Sequence, residues 1–481
     1  MSEIKVAVGP KAPEETSADT RVVGLFEGYS LDDPALARLV ELGEAKASLK
    51  KVAVVHEDAP GGGVRRVLIA GLGKRSEFDP ERARVAAAAA AGRAKELGAV
   101  SLSWADPGGD GVIAALVEGT LLKLYSFDRF KSAGDDEADS VETLELAGEA
   151  ISESELELGR VAAEAANAAR DLQNLPSNVA TPSFLADQAV EIADQHEALE
   201  FELLDREQIV ARGMGAFAAV AQGTDEEPRL IVLRYRPKGA AGPHLAYVGK
   251  AVTFDTGGIS IKPSAKMQEM KMDMSGGAAV LQAMDAIARL GVPVTLTAVV
   301  PATENMPSGH AIKPGDIVTA LNGKTIEIIN TDAEGRLILA DALAFAVEEG
   351  AERIVDIATL TGGVLVALGH THCGLWSNDD AWYDTVEAAC DASGEIGWRL
   401  PLHPEYLELT KSTVADLQNS SDQRVAVSNY AAEFLRQFVD DRPWVHVDIA
   451  GTAWGSTRNY LGKGANGFGT RMLVDLARRA G

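Results

Sequence analysis

Short apolar, β-branched runs alternate with helical stretches along most of this 481-residue chain, and this alternation limits the possible folds severely. Strands that alternate with helices need crossover connections, which favour a mainly parallel sheet. The alternation therefore predicts an α/β fold. In the first third, the predicted strands are Val22–Phe26, Lys51–His56, Val67–Ala70 and Val100–Trp104, and the predicted helices are Pro34–Leu42 and Pro80–Leu97.

The alternation resumes after about residue 175 and continues to the end of the chain. The predicted strands are Leu230–Arg234, Leu245–Val248, Val294–Val300, Thr325–Ile329, Ile354–Ile357 and Val445–Ile449. The predicted helices are Gly276–Leu290, Leu337–Glu349 and Asn429–Phe438. Between the two regions lies a single long helical pattern, Ser152–Leu172, in which Ser152 and Glu155 have the spacing of a capping box. We therefore predict an N-terminal α/β domain over residues 1–150, a linking helix over 151–172 and a larger domain over 173–481.

The charge balance excludes some classes of partner. Asp and Glu number 71 against 45 Lys and Arg, a net charge of −26. Phosphate contacts need clustered basic residues, so we expect no nucleic-acid partner. The N-terminus has no signal-peptide pattern and no apolar stretch reaches membrane-spanning length, so we expect a cytoplasmic protein without a membrane anchor. The acidic stretch Gly134–Asp139 is expected to be a solvated loop, and Cys373 and Cys390 are expected to be buried apolar residues.

Several short motifs resemble cofactor or metal sites but are incomplete. The run Val67–Lys74 lacks the third glycine of a dinucleotide fingerprint, because Ser76 stands at that position. His196 has no second histidine at helical spacing. His370 and His372 have no further ligand nearby in the sequence, so we interpret them as structural residues.

Four segments of the second domain place ionisable residues where strands end. They are Tyr247–Pro263, Met270–Gly277, Ile328–Leu343 and Asp356–Gly363. Ligand sites of open α/β sheets lie at the carboxyl ends of strands. Within the third segment Asp332, Glu334 and Arg336 occupy alternate positions, so an extended chain would point all three the same way.

Four carboxylates gathered in one cleft, those of Asp255, Asp273, Asp332 and Glu334, would raise each other's pKa unless cations compensated them. Two divalent ions bridged by carboxylates form a hydrolytic site that activates water. Lys250 could join such a site only as a neutral amine, with its pKa depressed by nearby positive charge. Taken singly, these motifs also fit helix caps, turns and surface ion pairs. Their coincidence favours a metallohydrolase of unspecified reaction.

The sequence resembles the leucyl (cytosol) aminopeptidase family. The unbroken run Asn330–Leu337, NTDAEGRL, looks like the signature of that family, and Val248–Pro263 and Met270–Val280 resemble its other two blocks. The segments Ala169–Ala186 and His446–Trp454 also fit. The resemblance is strong over about residues 165–481 and weaker before them. It implies a macro-like N-terminal α/β domain and a C-terminal metallopeptidase domain with a central mixed sheet flanked by helices.

The resemblance also implies residue roles. Lys250, Asp255, Asp273, Asp332 and Glu334 would hold two divalent ions, which are zinc, manganese or magnesium in the family. Lys262 would stabilise the oxyanion of the tetrahedral intermediate, and Arg336 would hold a bicarbonate that acts as general base. The substrate's free α-amine would bind a metal and Asp273, which restricts cleavage to peptide N-termini, often leucine. Met270, Thr359 and Gly362 would line the pocket for the first side chain. The family assembles as a homohexamer.

Two positions depart from the family pattern. Ala251 follows the metal-binding lysine where glycine is usual, and Asp416–Phe434 replaces a glycine-rich stretch of small residues. The second departure bears on substrate preference and rate.

Two alternative functions also stand beside the aminopeptidase. One is a DNA-binding or regulatory scaffold, and the other is a different two-metal hydrolase, such as a phosphatase or endopeptidase.

Overall fold

The computed structural model describes residues 4–132, 141–455 and 458–481. Two compact units divide the chain. The first comprises Met1–Asn167 with Thr457–Gly462, and the second comprises Ala168–Ser456 with Lys463–Gly481. The division falls within one helix, Glu153–Asn174, whose first turn is capped by the Ser152 hydroxyl (3.2 Å to the Glu155 amide). The acidic stretch 134–139 lies outside the described residues.

The described residues of the first unit form a six-stranded, mainly parallel sheet with helices packed on it. Its strands are β1 (Lys5–Val8), β2 (Thr20–Phe26), β3 (Val52–Asp58), β4 (Val64–Gly73), β5 (Ser101–Ala105) and β6 (Thr143–Ala147). Its helices are α1 (Pro34–Glu41), α2 (Pro80–Glu96), α3 (Val112–Leu124) and the start of α4 (Glu153–Asn174), with 3-10 turns at Pro13–Glu15 and Arg75–Glu77. The strand order is β1-β6-β5-β2-β4-β3, and within it only β3 pairs antiparallel.

Small residues allow two helices to pack closely on one face of this sheet. Alanines along α2 are buried, and Gly119 of α3 faces the α2 backbone. A Cβ at Gly119 would lie 2.3 Å from the Arg84 carbonyl oxygen. The alanine-rich run therefore supplies a packing surface as well as helix propensity.

The second unit contains the rest of the regular structure. Its strands are β7 (Leu199–Leu204), β8 (Arg229–Tyr235), β9 (Ala241–Gly249), β10 (Ala251–Asp255), β11 (Val294–Asn305), β12 (Ile317–Thr319), β13 (Thr325–Glu327), β14 (Arg353–Ala358), β15 (Cys373–Ser377), β16 (Gly397–Arg399), β17 (Leu417–Gln418) and β18 (Trp444–Asp448). Its helices are α5 (Pro182–Asp194), α6 (Arg206–Ala211), α7 (Gly215–Val220), α8 (Ser275–Arg289), α9 (Gly335–Glu348), α10 (Gly362–Leu368), α11 (Asp380–Ser393), α12 (Pro404–Glu408), α13 (Val427–Arg436) and α14 (Thr470–Ala480). The 3-10 segments are Ala221–Gly223 and Met267–Met274.

A mixed sheet forms the centre of this unit, in the order β16-β15-β18-β14-β9-β11-β8-β7, with β10 also paired to β11. The central strands β18, β14, β9 and β11 run parallel, and β7, β8 and β15 pair antiparallel with their inner neighbours. Strands β12, β13 and β17 form a small separate sheet. The parallel centre brings the carboxyl ends of β9, β10 and β14 to one edge.

The predicted α/β class and the mixed sheet flanked by helices are confirmed. The predicted elements are present, with shifted ends. Strand β13 stops at Glu327 rather than Ile329, and β11 continues past Val300 to Asn305. Both cysteines are buried and free, as expected.

Candidate metal centre

Lys250 lies between the end of β9 and the start of β10, and it is 2% exposed. Its Nζ lies 2.8 Å from Asp273 Oδ2 and 2.9 Å from Glu334 Oε1. A third contact, 3.1 Å long, runs to the main-chain oxygen of Thr359. The lysine is therefore held among groups from three separate segments of the chain.

The carboxylates around it come from the other motifs. Asp255 ends β10, Asp273 belongs to the 3-10 segment before α8, and Glu334 directly precedes α9. All three are buried, and each offers an oxygen within 4.8 Å of the others. Oxygen donors at this spacing suit a hard divalent cation, so these residues fit a metal ion.

Asp332 lies in the turn before α9 and is approached by a second lysine. Lys262 Nζ lies 2.5 Å from Asp332 Oδ1 and 2.8 Å from Asp255 Oδ2. The prediction that Asp332, Glu334 and Arg336 follow an extended stretch is wrong. Glu334 already has helical backbone angles (φ −75°, ψ −34°), and α9 begins at the next residue.

Close backbone approach explains the glycines of the motifs. A Cβ on Gly276 would lie 2.0 Å from the Ile357 carbonyl oxygen, and one on Gly335 would lie 2.7 Å from Lys250 Nζ. Ala251, which follows Lys250 where glycine was expected, is fully buried. Its methyl group faces Gly277, where an added Cβ would be only 2.7 Å away. Glycine at 277 therefore makes room for the extra methyl.

Burial and like charges dominate the electrostatics of the carboxylates. Burial, reinforced by the charge of Asp255, raises the pKa of Glu334 to about 8. Burial raises the pKa of Asp273 to about 6, although Lys250 opposes this shift. The pKa of Asp332 is raised by the same two causes, burial and Asp255. Burial and mutual repulsion therefore oppose full ionisation of these carboxyl groups and favour the protonated form of Glu334.

The pKa values of the two lysines are also raised, but by the charge of the neighbouring carboxylates rather than by burial. Burial lowers the pKa of Lys250, but the carboxylates of Asp273 and Glu334 outweigh burial and raise the pKa overall. Asp255 and Glu334 do the same for the pKa of Lys262. In this arrangement both amines are ammonium ions. A metal that takes Lys250 as a ligand must first displace its proton.

Arg336 lies in the first turn of α9 and is 4% exposed. Its Nη1 donates a 2.6 Å hydrogen bond to the Asn419 carbonyl oxygen, and its guanidinium carbon lies 5.3 Å from the centre of the Tyr430 ring. Its buried Nε has no hydrogen-bond partner in the described part of the chain. Burial lowers the pKa of Arg336. Arg336 also lines the cavity beside the carboxylates, so a buried cationic side chain belongs to the site.

A cavity of about 330 Å³ joins the predicted residues. All ten candidate site residues line it: Lys250, Asp255, Lys262, Met270, Asp273, Asp332, Glu334, Arg336, Thr359 and Gly362. Thr359 also donates a 2.6 Å hydrogen bond to Asp273 Oδ1. Beside the carboxylates, the wall includes the apolar side chains of Met270 and Leu365, which can receive an aliphatic group.

Sequence reasoning missed Asn305, at the end of β11. Its Nδ2 lies 2.8 Å from Asp255 Oδ1 and 3.4 Å from Glu334 Oε2, so one amide orients two carboxylates. A polar residue that ends a long apolar strand was the available signal. Ser420 and Tyr430, both in the atypical Asp416–Phe434 segment, also line the cavity. Their role depends on tertiary contacts that no local pattern indicates.

Comparison with known proteins agrees with this geometry. A sequence model described as the cytosol aminopeptidase family, catalytic domain, matches residues 167–474, and the model of that family's N-terminal domain matches residues 22–134. The chain belongs to the cytosol aminopeptidase family. The N-terminal match extends the likeness to the region where the motifs were weak.

Members of this family resemble the chain over its whole length. The probable cytosol aminopeptidase of Solibacter usitatus (strain Ellin6076) is 45% identical over 98% of this chain and 99% of its own. That of Roseiflexus castenholzii (strain DSM 13941 / HLO8) is 42% identical over 99% of both. A solved structure described as bottromycin maturation enzyme BotP in complex with Mn superposes with a TM-score of 0.86 at 34% identity, covering 96% of this chain and 99% of that one.

Membership supports a metal-dependent peptidase acting on peptides. Among the described residues, every helix is too short or too polar to cross a membrane.

Proposed function

We propose that this member of the cytosol aminopeptidase family removes N-terminal residues, preferentially leucine, from peptides by a two-metal mechanism. The observation that carries the proposal is the convergence of five possible ligands in one buried cleft. They are Lys250, Asp255, Asp273, Asp332 and Glu334. Family membership supplies the reaction class.

These five residues would hold two divalent ions, of manganese, zinc or magnesium. The proposal is supported by the excess of carboxylates over ammonium groups in the cleft. When bound, the ions supply Lewis acidity and lower the pKa of water.

Two cationic side chains would act on the reacting groups. Lys262 is positioned at the rim of the carboxylate cluster, where its ammonium group can donate a hydrogen bond to the developing oxyanion. Arg336 would hold bicarbonate as the general base through its unpaired Nε. Neither residue needs to change its protonation state for these roles.

Recognition of the peptide terminus would depend on Asp273 and the apolar wall. The Asp273 carboxylate, held by Thr359 and Lys250, can accept hydrogen bonds from a free α-amine. Met270, Thr359 and Gly362 would surround the first side chain of the substrate. Because Gly362 adds no side chain to the pocket, a branched aliphatic residue such as leucine fits this wall.

The decisive experiment compares free and blocked substrates after loading with Mn²⁺. Leucine p-nitroanilide should be hydrolysed and its N-acetyl derivative should not. Cleavage of the acetylated substrate would instead support another two-metal hydrolase. Absence of turnover with any aminoacyl substrate, with or without metal, would refute the enzyme proposal. A low-salt gel shift tests the DNA-binding scaffold, which the net charge of −26 disfavours.

We also propose a homohexamer located in the cytoplasm. Family membership supports this assembly, and the relatives' name, cytosol aminopeptidase, supports the location. Light scattering coupled to size-exclusion chromatography should give six times the chain mass. A monomer at micromolar concentration would contradict the assembly while leaving the activity open to the assay above.

A further inference from the structure

Helix α10 forms one wall of the site cavity, yet apolar packing holds little of it in place. Its residues Gly362 and Leu365 line the cavity. Of the seven residues Gly362–Leu368, all of which the structure describes, only Val364 is buried, and Val366 is 89% exposed. A helix this short is not stable in water without tertiary contacts. The position of this wall therefore depends on the contacts at the two ends of α10.

A carboxylate at the end of β18 holds the turn that leads into α10. Asp448 is fully buried and lies outside the cavity lining. Its Oδ2 accepts a 2.7 Å hydrogen bond from the Thr361 hydroxyl, and its Oδ1 accepts one of 3.2 Å from the Leu360 amide. Thr361 and Leu360 both line the cavity. Asp448 therefore fixes two residues of the wall without facing the substrate itself.

The main chain after Asp448 holds the other end of α10. The Gly451 carbonyl oxygen accepts a 2.8 Å hydrogen bond from His370 Nδ1, and a Cβ on Gly451 would lie 2.3 Å from the Gly369 carbonyl oxygen. Glycine at 451 therefore allows close approach to the end of the helix. Ala450 lines the cavity, and its amide donates a 3.1 Å hydrogen bond to Asp448 Oδ1. The segment 448–451 thus contacts the chain at both ends of α10.

The Thr361 hydroxyl also joins α13 to this wall. Its oxygen lies 2.7 Å from Ser428 Oγ and accepts a 3.3 Å hydrogen bond from the Val364 amide. Because the threonine hydroxyl has one proton, which it donates to Asp448, the serine must donate to Thr361. A Cβ on Gly363 would lie 2.7 Å from Ser428 Oγ, so glycine permits this approach. The Asp448 carboxylate therefore ends a directed chain of hydrogen bonds.

The beginning of the same turn contacts the carboxylate cleft. Thr359 Oγ1 donates a 2.6 Å hydrogen bond to Asp273 Oδ1, and the Thr359 carbonyl oxygen accepts one of 3.1 Å from Lys250 Nζ. The turn is therefore fixed at one side by the cleft and at the other by Asp448. Loss of the Asp448 contacts would release Leu360 and Thr361 while the contacts of Thr359 remain.

We propose that Asp448 is a positioning residue for substrate selection, because it fixes α10 and the turn before it against the first side chain of the peptide. The inference rests on the proposed aminopeptidase function and deepens it. A leucine side chain reaches this wall, whereas the methyl group of alanine does not. An aliphatic group gains about 10–200-fold per methylene where a pocket is packed against it. The preference for leucine over alanine therefore depends on how firmly Asp448 holds the wall.

The experiment uses the Mn²⁺-loaded full chain and the variants Asp448→Asn, Thr361→Val and their combination. Asparagine keeps the side-chain shape but has one acceptor oxygen, so it cannot serve both the backbone amides and the Thr361 hydroxyl. The matched control is Asp341→Asn, the same change at a buried carboxylate outside the cavity lining. The measurements are kcat and KM for leucine and alanine p-nitroanilides, Mn²⁺ affinity by calorimetry and folding by circular dichroism.

Asp448→Asn should lower the leucine-to-alanine ratio of kcat/KM about fivefold or more, mainly through a higher KM for the leucine substrate. Mn²⁺ affinity and kcat for the alanine substrate should stay within about threefold of wild type, because the hydrogen bonds of Asp448 go to residues other than the five proposed ligands. Thr361→Val should lower the ratio similarly. The double variant should match the stronger single variant, since both changes remove one shared hydrogen bond. Asp341→Asn should leave the ratio unchanged.

An unchanged ratio in Asp448→Asn and in Thr361→Val would overturn the positioning role. So would loss of Mn²⁺ from Asp448→Asn, an equal fall of the ratio in Asp341→Asn, or a double variant whose loss is the product of the two single losses. If Asp448→Asn does not fold, Thr361→Val carries the test by the same ratio. An inactive wild type refutes the proposed aminopeptidase, whereas an active wild type whose variants keep the ratio refutes only the role of Asp448.

Discussion

Replacing Lys262 with methionine removes one positive charge from the rim of the carboxylate cluster and keeps an unbranched side chain that is one atom shorter. Its ammonium group contacts Asp255 at 2.8 Å and Asp332 at 2.5 Å. An ammonium group has three donors, so one remains for the substrate. The side chain is only 23% exposed, which keeps such a hydrogen bond partly shielded from water.

The expected loss follows from this geometry. Removing one preorganised donor to an oxyanion costs about 10²–10³ in kcat, or about 2.7–4 kcal/mol. Metal binding should persist or tighten, because Lys262 competes with cations for Asp255 and Asp332. Asp332→Asn should behave oppositely and lose both metal and activity, since it removes a charged ligand.

The assay combines kcat for leucine p-nitroanilide at saturating Mn²⁺ with calorimetric metal titration and circular dichroism. Lys266→Met is the matched control, since Lys266 is an exposed lysine in the same loop. A Lys262→Met enzyme with kcat within about threefold of wild type would refute the oxyanion role. Loss of metal in this variant would assign Lys262 to the metal site instead.

Three further outcomes are expected from the contacts in the second unit. Because the pKa of Glu334 is raised to about 8 and that of Asp273 to about 6, Mn²⁺ binding at pH 7 should release protons and strengthen as pH rises, as measured by calorimetry in two buffers. Gly335→Ala should weaken metal binding at least tenfold, because the new Cβ would lie 2.7 Å from Lys250 Nζ. Asp341→Ala should lower the free energy of unfolding by about 2–4 kcal/mol in urea titration, because it leaves buried backbone N–H groups without an acceptor.

The raised pKa of Glu334 should also make the free energy of unfolding depend on pH. The folded pKa of Glu334 lies above its ordinary value of 4.5, so the folded, metal-free protein binds this proton more tightly than the unfolded chain does. The free energy of unfolding of the metal-free protein should therefore fall as pH rises from about 4.5 to about 8. Metal binding without proton release, or a metal-free stability that rises over this interval, would contradict the electrostatic account.

Each structural variant has its own control. Gly309→Ala adds the same methyl group at a glycine with open space around it and should leave metal binding unchanged. Equal effects of Gly309→Ala and Gly335→Ala would contradict the steric argument. The Asp341 carboxylate accepts hydrogen bonds from the backbone amides of Phe217 (2.8 Å) and Leu321 (2.7 Å). A fully stable Asp341→Ala protein would show that water replaces the carboxylate.

Local pattern was sufficient for the regular elements and for selecting residues that the structure gathers around one cavity. The alternation of β-branched runs with helical periods predicted the α/β class, because these patterns depend on neighbours within a few residues. The motif residues were recognisable because strand ends, glycine turns and paired carboxylates are themselves local. Even so, the predicted extended stretch through Arg336 was wrong, since α9 begins as early as Gly335.

The distances between motifs belong to the tertiary structure alone. Lys250 and Glu334 are 84 positions apart in the chain, yet their charged groups lie 2.9 Å apart, because β9 and β14 pair in parallel register and α9 begins at the same edge. Tertiary packing also places the Asn305 amide between the carboxylates of Asp255 and Glu334, and it places the Tyr430 ring against Arg336. The sequence by itself determined which groups could carry the chemistry. The packing of remote segments determined which of these charged and polar groups interact, because electrostatic and hydrogen-bond energies depend on separation in space.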